Sequence, residues 1–329
     1  MPLSDAACAA RWAHERLAAA HAEFDPRLPI ARSAAGEWTI VVDHGRCARL
    51  WADIERWALR VGLYEPGRDR GLVQAPMTEL SAAVLPTAST DLVRAATMYW
   101  TVVVAFDDQV VETGRSPAPY AASVGPILLE GRLPAEPDRF HHAYLDVHRE
   151  LVAAGAGPAM PEFTRQAVRA LEGYVEESGW RRTGRLPVFA EYLRNGLSSA
   201  QMLPYMALQR LRPGLVPPDA PWPPQIAQLA RLSCLVTRLE NDLLGITRDD
   251  PDGGLNACWA AARDYGISPY EAAPAVLAAR TAMRAEHDAL LADIRRDPSQ
   301  VACRAQAEAI GGWTDVCYAW FLSVARYRD

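Results

Sequence analysis

Lysine is absent from this chain: all 34 basic residues are arginine. That omission removes Schiff-base chemistry, the P-loop lysine and the kinase lysine together. Any phosphate handled here must be held by arginine, backbone amides or a metal ion. The six cysteines form no C-x-x-C pair and no regular framework, so they read as buried or free thiols of a reducing compartment. The first residues, Met1 to Asp5, show no basic segment followed by an apolar run, so no secretory signal is expected. No run of about 18 uninterrupted apolar residues exists to enter a membrane, and the expected location is the cytoplasm. The net charge of −6 argues against nucleic acid as a partner. A small anionic ligand needs only a local arginine cluster and stays open.

Half of the 329 residues are hydrophobic. Alanine and leucine dominate while valine and isoleucine are scattered, a balance that favours helices. Helical patterns run from about Asp5 to Phe24, Arg46 to Val61, Pro76 to Val84 and Ser89 to Glu112. They resume over Pro137–Ala154, Pro161–Trp180, Pro187–Gln209, Pro221–Asp249, Pro269–Arg296 and Pro298–Tyr327. Proline at the first helical position suits so many starts because its missing N–H is unused there. Gly196 and Pro204 should break the Pro187–Gln209 segment. Glu37–Asp43 could pass for a strand but has no obvious partner, and it reads as connection. With no repeat and no long linker, one all-α domain over residues 1–329 is expected, a helical bundle around an apolar cavity.

Two constellations carry chemistry. Asp107, Asp108 and Glu112 stand at the C-terminal end of the apolar run Met98–Phe106. Asp108 and Glu112, four apart, share a helical face. Carboxylates there repel one another and meet the negative end of the helix dipole, so a divalent cation with hard oxygen ligands would explain them. Taken alone, a solvated acidic helix end is the rival explanation. The second constellation, about 130 residues later, is Asn241-Asp242-Leu243-Leu244-Gly245-Ile246-Thr247-Arg248-Asp249. Asn241, Gly245 and Asp249 recur every four residues, and Asn241 and Asp249 would lie about 12 Å apart along a continuous helix. Among lesser features, His141, His142 and His148 lack the partners of a metal site, and an exposed helix face is expected. Trp313, Cys317 and Trp320 recur at near-heptad spacing and read as core packing more than cavity wall.

Together the two acidic segments resemble the metal motifs of class I terpene synthases, the bacterial ones in particular. The family pattern at the second site is N-D-x-x-S-x-x-x-E, commonly with Lys or Arg before the Glu. Asn241, Asp242 and Arg248 match, Gly245 stands for the Ser, and Asp249 stands for the Glu. The glycine removes one side-chain oxygen. Near the C-terminus Arg326-Tyr327, 85 residues past Asn241, is similar to the family's terminal Arg-Tyr pair that donates to the diphosphate. The family's diphosphate-sensing arginine would fall 46 residues before Asn241, at Asn195, which makes Arg194 the nearest candidate. Ser198 and Ser199 then fall where the family has the residues beside its helix break that sense ionisation. The resemblance covers the chain from about residue 90 onward.

The resemblance implies that Asp107, Asp108, Glu112, Asn241, Gly245 (through a water or backbone group) and Asp249 hold three Mg²⁺ ions, with Mn²⁺ as a substitute. It implies diphosphate donation from Arg194, Arg248, Arg326 and Tyr327, with Asp107, Asp108, Arg326 and Tyr327 as the catalytic set. Tyr99, Trp100, Phe106 and Phe189, with Ser199, would line the pocket for the chain. The implied reaction ionises an isoprenyl diphosphate, with a farnesyl or geranylgeranyl chain expected, and cyclises the cation. Two rivals stay open: a chain-elongating isoprenyl diphosphate synthase, and a helical binding protein with decayed motifs. A homodimer is compatible, though nothing in the sequence marks an interface.

Overall fold

Polar caps and N-terminal prolines start the helices close to where the sequence places them. A computed structural model describes residues 5–21, 24–32, 38–64, 77–247 and 255–324. Helices α1 (Ala6–Ala20), α2 (His44–Arg60) and α3 (Met77–Val84) lead to α4 (Thr90–Phe106). They are followed by α5 (Ala118–Glu130), α6 (Arg139–Ala153), α7 (Met160–Thr183), α8 (Phe189–Ser199) and α9 (Met202–Gln209). The set ends with α10 (Pro224–Leu244), α11 (Ala257–Tyr265), α12 (Pro269–Arg296) and α13 (Val301–Ser323). The last long pair illustrates the capping logic. Ser268 and Glu271 form a reciprocal capping box at the start of α12, with Pro269 in its first turn.

Two segments differ from expectation. Trp38–Ile40 is a short strand, β2, and its antiparallel partner β1 is Ile30–Arg32, with Ile30 opposite Ile40. The partner escaped notice because Pro29 and three residues of pattern give almost no periodicity. Helix α5 is interrupted on paper by Pro119, Gly125 and Pro126, yet Pro126 is accommodated inside it. Tertiary packing of α5 against α7 overrides the local penalty.

Helix α4 is central. Tyr99, Val102, Val103, Ala105 and Phe106 are all buried, and Thr97 and Thr101 satisfy their hydroxyls on the carbonyls four residues back, at 2.7 and 2.9 Å. Among the described residues no helix is long and apolar enough to cross a membrane. Among the described residues none of the six cysteines forms a disulfide.

Helix α10 packs against α12 and α13 and buries a charge network at its lower turns. Glu240 is wholly buried and accepts from His21 Nε2 at 2.7 Å and from Arg280 Nε at 2.9 Å. The His21 ring stacks on Tyr318 at 3.9 Å, and Asp315 on α13 accepts from Arg284 at 2.6 Å. One ionic cluster therefore ties α1, α10, α12 and α13. Burial by itself would lower the His21 imidazole, but Glu240 and Asp315 outweigh it and raise it above its ordinary 6.5. The stability this contributes is complete below pH 6.5 and is lost as pH climbs through the raised value. The melting temperature should fall across that window, and His21→Gln should flatten the dependence. Arg280→Met, which strands the buried Glu240 carboxylate, should cost about 3–5 kcal/mol, read as a lower urea midpoint at unchanged slope.

Candidate active site

At Asp107 the α4 ladder changes register. Residues Asp107–Val111 form a π-helical turn, closed by the Glu112 N–H donating to the Asp107 carbonyl at 2.9 Å. Such turns occur as single insertions in helices, frequently at functional sites. The wider turn brings Asp107 and Glu112, five apart, into the same quarter as Asp108. Ligand oxygens of all three carboxylates lie within 4.8 Å of one another. Among the described residues this is the one group of His, Cys, Asp or Glu with metal-binding spacing. Three hard oxygens at the end of an apolar helix fit Mg²⁺ or Mn²⁺.

Asp107 and Glu112 open onto a cavity of about 190 Å³. Thr237, Arg238, Asn241 and Asp242 on the last turns of α10 line the same cavity, and so do Trp100 and Val103 of α4. The two motifs therefore share one cavity. Helix α10 ends at Leu244, earlier than the sequence suggested, with the Gly245 N–H bonded to the Asn241 carbonyl at 2.8 Å. Gly245 has φ −88°, a conformation open to any residue, so the missing side chain distinguishes it, not backbone freedom. Arg248, Asp249, Arg326 and Tyr327 lie outside the described residues.

Asp242 is an architectural clamp. Its carboxylate accepts from the Tyr192 hydroxyl at 2.7 Å and from the Ala257 N–H at 3.2 Å, joining α8, α10 and α11. Arg238, one turn before Asn241, donates through Nε to the Tyr192 hydroxyl at 2.8 Å and lies 3.5 Å from Asp242 and 3.7 Å from Glu177. Burial opposes the Arg238 cation, but Tyr192, Asp242 and Glu177 outweigh it, so it stays charged. Arg181 of α7 also lines the cavity, and its buried Nε has no hydrogen-bond partner among the described residues. Burial, reinforced by Asp107 and Glu177, pushes the Tyr174 phenol well above its ordinary range, which keeps it a neutral donor beside the carboxylates.

The expected helix break falls between α8 and α9. Gln201 there holds a left-handed φ of 59°, a strained choice for a residue with a side chain. Its buried side chain is fixed by the Tyr99 hydroxyl, which donates to Oε1 at 2.7 Å. Ser199, at the last turn before the break, lines the cavity and donates to Glu177 Oε1 at 2.6 Å. The approach of α8 to α7 depends on Gly173, where an added Cβ would sit 3.1 Å from the Ser199 backbone nitrogen.

Several expected site residues lie elsewhere. Arg194 is exposed on α8 and donates to Glu176 at 2.8 Å. One residue is about 100° of helix, so it is Asn195 that turns inward, donating to Glu177 at 3.1 Å. Phe106 is buried among Tyr120, Phe140 and Tyr174, a core packing residue outside the cavity lining. Tyr99 is likewise wholly interior, and Phe189 packs partly buried at the start of α8. Trp100 does line the cavity, and so do Phe321 of α13 and its neighbours Cys317 and Trp320, which the sequence pattern assigned to the core. His141 is buried, not exposed, and completes the α6 capping box with Asp138. Sequence reasoning missed Arg181, Arg238, Glu177 and Gln201. Only Arg238 left a signal, three residues before Asn241 on the same helical face.

Residues 98–285, more than half of the chain, match the family described as terpene synthase family 2, C-terminal metal binding. The chain belongs to the terpene synthase family. A stretch of 104 residues is 35% identical to (−)-beta-pinene synthase 1 of Pinus banksiana, and one of 105 residues is 35% identical to (−)-alpha-pinene synthase 1 of the same species. These stretches span 29% of this chain and only 16% of those relatives. The fold resembles 2-methylisoborneol synthase from Streptomyces coelicolor A3(2), solved with Mg²⁺ and geranyl-S-thiolodiphosphate, at TM-score 0.74 and 20% identity over 93% of this chain and 98% of the other. It also resembles germacradien-4-ol synthase from Streptomyces citricolor at TM-score 0.69 and 20% identity over 91% and 98% of the two chains.

Cation binding can be measured without substrate. Mn²⁺ titration followed by electron paramagnetic resonance should detect binding that Asp107→Asn and Asp108→Asn weaken by more than the roughly 10–100-fold typical of outer-shell changes. Undiminished Mn²⁺ affinity in the double variant would remove the carboxylate cluster from the site.

Proposed function

We propose that this protein is a Mg²⁺-dependent class I terpene cyclase that ionises an isoprenyl diphosphate and cyclises the resulting cation. One observation carries the reading: Asp107 and Glu112 of the carboxylate cluster line one cavity together with Arg238, Asn241 and the aromatic Trp100, Trp320 and Phe321. Asp107, Asp108 and Glu112 on one side, with Asn241 and Asp249 on the other, would hold the cations. Three ions fit that ligand set, with a water or backbone group standing at Gly245. Bound Mg²⁺ would supply Lewis-acid charge to the leaving diphosphate.

The remaining steps belong to the chain's own groups. Arg238 and Arg181 stand where a diphosphate in the mouth would lie, and they take the role that Arg194 cannot reach. Arg248, Arg326 and Tyr327 are further donors in this reading. As the carbon–oxygen bond breaks, its electron pair leaves with the diphosphate, and preorganised charged donors stabilise the oxygen that gains charge. The allylic cation left behind meets Trp100, Trp320 and Phe321. Those ring faces exclude water and stabilise positive charge by about 0.5–2 kcal/mol each. Asp242 and Glu177 act at one remove, holding Arg238 and the α8–α9 break in place.

A chain-elongating synthase would be expected to carry a second Asp-rich motif, and the segment Asn241–Asp249 is not one, which favours the cyclase. The reading takes the chain as one helical domain.

Incubation with Mg²⁺ and geranyl, farnesyl and geranylgeranyl diphosphates, followed by gas chromatography–mass spectrometry, should give a cyclic product that EDTA abolishes. Arg238→Ala should lower kcat by about 10²–10³-fold, as loss of a transition-state donor does, while Arg194→Ala should leave it within about twofold. Folded, Mn²⁺-binding protein that releases diphosphate from none of them would contradict the cyclase. Gly245→Ser, which adds a hydroxyl beside the second motif, should lower the Mg²⁺ concentration for half-maximal rate.

A further inference from the structure

We propose that Thr237, together with the Trp100 indole N–H, holds one water molecule for attack on the cation, so that the reaction ends in a cyclic alcohol. This rests on the cyclase reading and deepens it, since that reading leaves the fate of the last cation open.

Many of the polar groups that line the cavity are already engaged. Asp242 accepts from Tyr192 and Ala257, Glu177 from Ser199 and Asn195, and Gln201 Oε1 from Tyr99. Arg238 donates to Tyr192. By contrast, Arg181 Nε, Trp100 Nε1 and Thr237 Oγ1 are buried with no hydrogen-bond partner among the described residues, and all three side chains line the cavity. Arg181 is a cation and suits the diphosphate. Trp100 and Thr237 are neutral and suit a neutral guest.

Thr237 is the informative member. It is 5% exposed and lies on α10, one residue before Arg238 and one turn before Asn241. Thr97 and Thr101 on α4 are also buried, but their hydroxyls donate to the carbonyls four residues back, and the Thr237 hydroxyl does not. Thr164 and Thr314 are unpartnered too, yet neither lines this cavity. A buried hydroxyl without a partner is costly, and each such group calls for an explanation, a bound water among them. A helical threonine has two accessible χ1 rotamers, which exchange its hydroxyl and methyl at the cavity wall. The indole N–H can only donate, whereas the threonine hydroxyl both donates and accepts. Water is the smallest guest that satisfies both: its oxygen accepts from Trp100, and one of its hydrogens goes to Thr237 Oγ1. A lone pair is left free to attack.

The chemistry balances with groups that the proposed reaction supplies. Aromatic lining excludes bulk water, so the held molecule is the nucleophile within reach. Its lone pair forms the new carbon–oxygen bond at the cationic carbon. The resulting oxonium gives a proton to Thr237 Oγ1 as Thr237 passes its own proton to an oxygen of the released diphosphate. That diphosphate took the electron pair of the first broken bond, so it is the base. Cation, water and diphosphate become alcohol and hydrogen diphosphate, and Thr237 is unchanged. Without the held water the cation loses a proton directly and leaves as a hydrocarbon.

Product analysis in labelled water tests this. Wild-type protein, Thr237→Val, Thr237→Ser and Trp100→Phe, each checked for helical circular dichroism, are incubated with Mg²⁺ and geranyl, farnesyl and geranylgeranyl diphosphates in water enriched in heavy oxygen. Diphosphate release and the ratio of cyclic alcohol to cyclic hydrocarbon are measured together. The wild type should give mainly alcohol that carries the solvent label. Thr237→Val, close in shape but without the hydroxyl, should lower the ratio about five- to tenfold, the worth of one hydrogen bond. Trp100→Phe should lower it by a similar factor, and Thr237→Ser should keep most of it. A wild-type product that is mainly hydrocarbon overturns the held water while leaving the cyclase intact. So does a ratio that neither Thr237→Val nor Trp100→Phe moves, even where diphosphate release slows, because the two groups would then serve the leaving group. Release of no diphosphate from any of the three substrates removes the cyclase reading, and the held water with it.

Discussion

Everything at this site follows from charge placed where charge is costly. Asp107, Asp108 and Glu112 crowd their ligand oxygens within 4.8 Å of one another at the end of a helix whose last turns are otherwise buried and apolar. Mutual repulsion and the negative end of the helix dipole both act against them. The π-helical turn increases the crowding, since it brings Glu112 back toward Asp107. Packing gains nothing from such an arrangement. A bound cation would reverse the sign of each unfavourable contribution.

The cavity depends on α10, which contributes Arg238, Asn241 and Asp242 to its lining. Arg238 presents a permanently charged guanidinium to the mouth. Asn241 lines the same cavity as Asp107 and Glu112. Asp242, buried and bonded to Tyr192 and Ala257, keeps the helix in register with α8 and α11. Between Arg238 and Asn241 in sequence, Glu240 is locked to His21 and Arg280. With one ion cluster on each face, α10 can neither rotate nor slide without stranding a buried charge, a change that costs several kcal/mol. Precise placement of Arg238 and Asn241 is the consequence.

Much of this is legible in the sequence. The all-α class, the central apolar helix and the carboxylates at its end follow from composition and periodicity. The break between Ser199 and Met202 follows from Gly196 and Pro204. What failed did so for physical reasons. Arg194 and Asn195 are neighbours in sequence but about 100° apart around α8, so counting residues found the exposed one. Phe106 looked like a pocket wall because apolar residues at a core and at a cavity have the same pattern, and Trp320 was misread in the opposite direction. The π-helical turn and the left-handed Gln201 leave no compositional trace. Arg181 and Glu177 come from α7, far from both motifs in sequence, and only tertiary packing brings them to the mouth.

The most direct test of the account is where heavy cations settle. A crystal of the full chain grown with Mn²⁺ and inorganic diphosphate, with data collected at the manganese edge, locates them without any turnover. The account expects anomalous peaks against Asp107, Asp108 and Glu112 and against Asn241. Diphosphate should lie between the peaks, within hydrogen-bond reach of Arg238 and Arg181. Ordered diphosphate with no manganese at the carboxylates, or manganese bound anywhere else in the protein in preference to them, would contradict it.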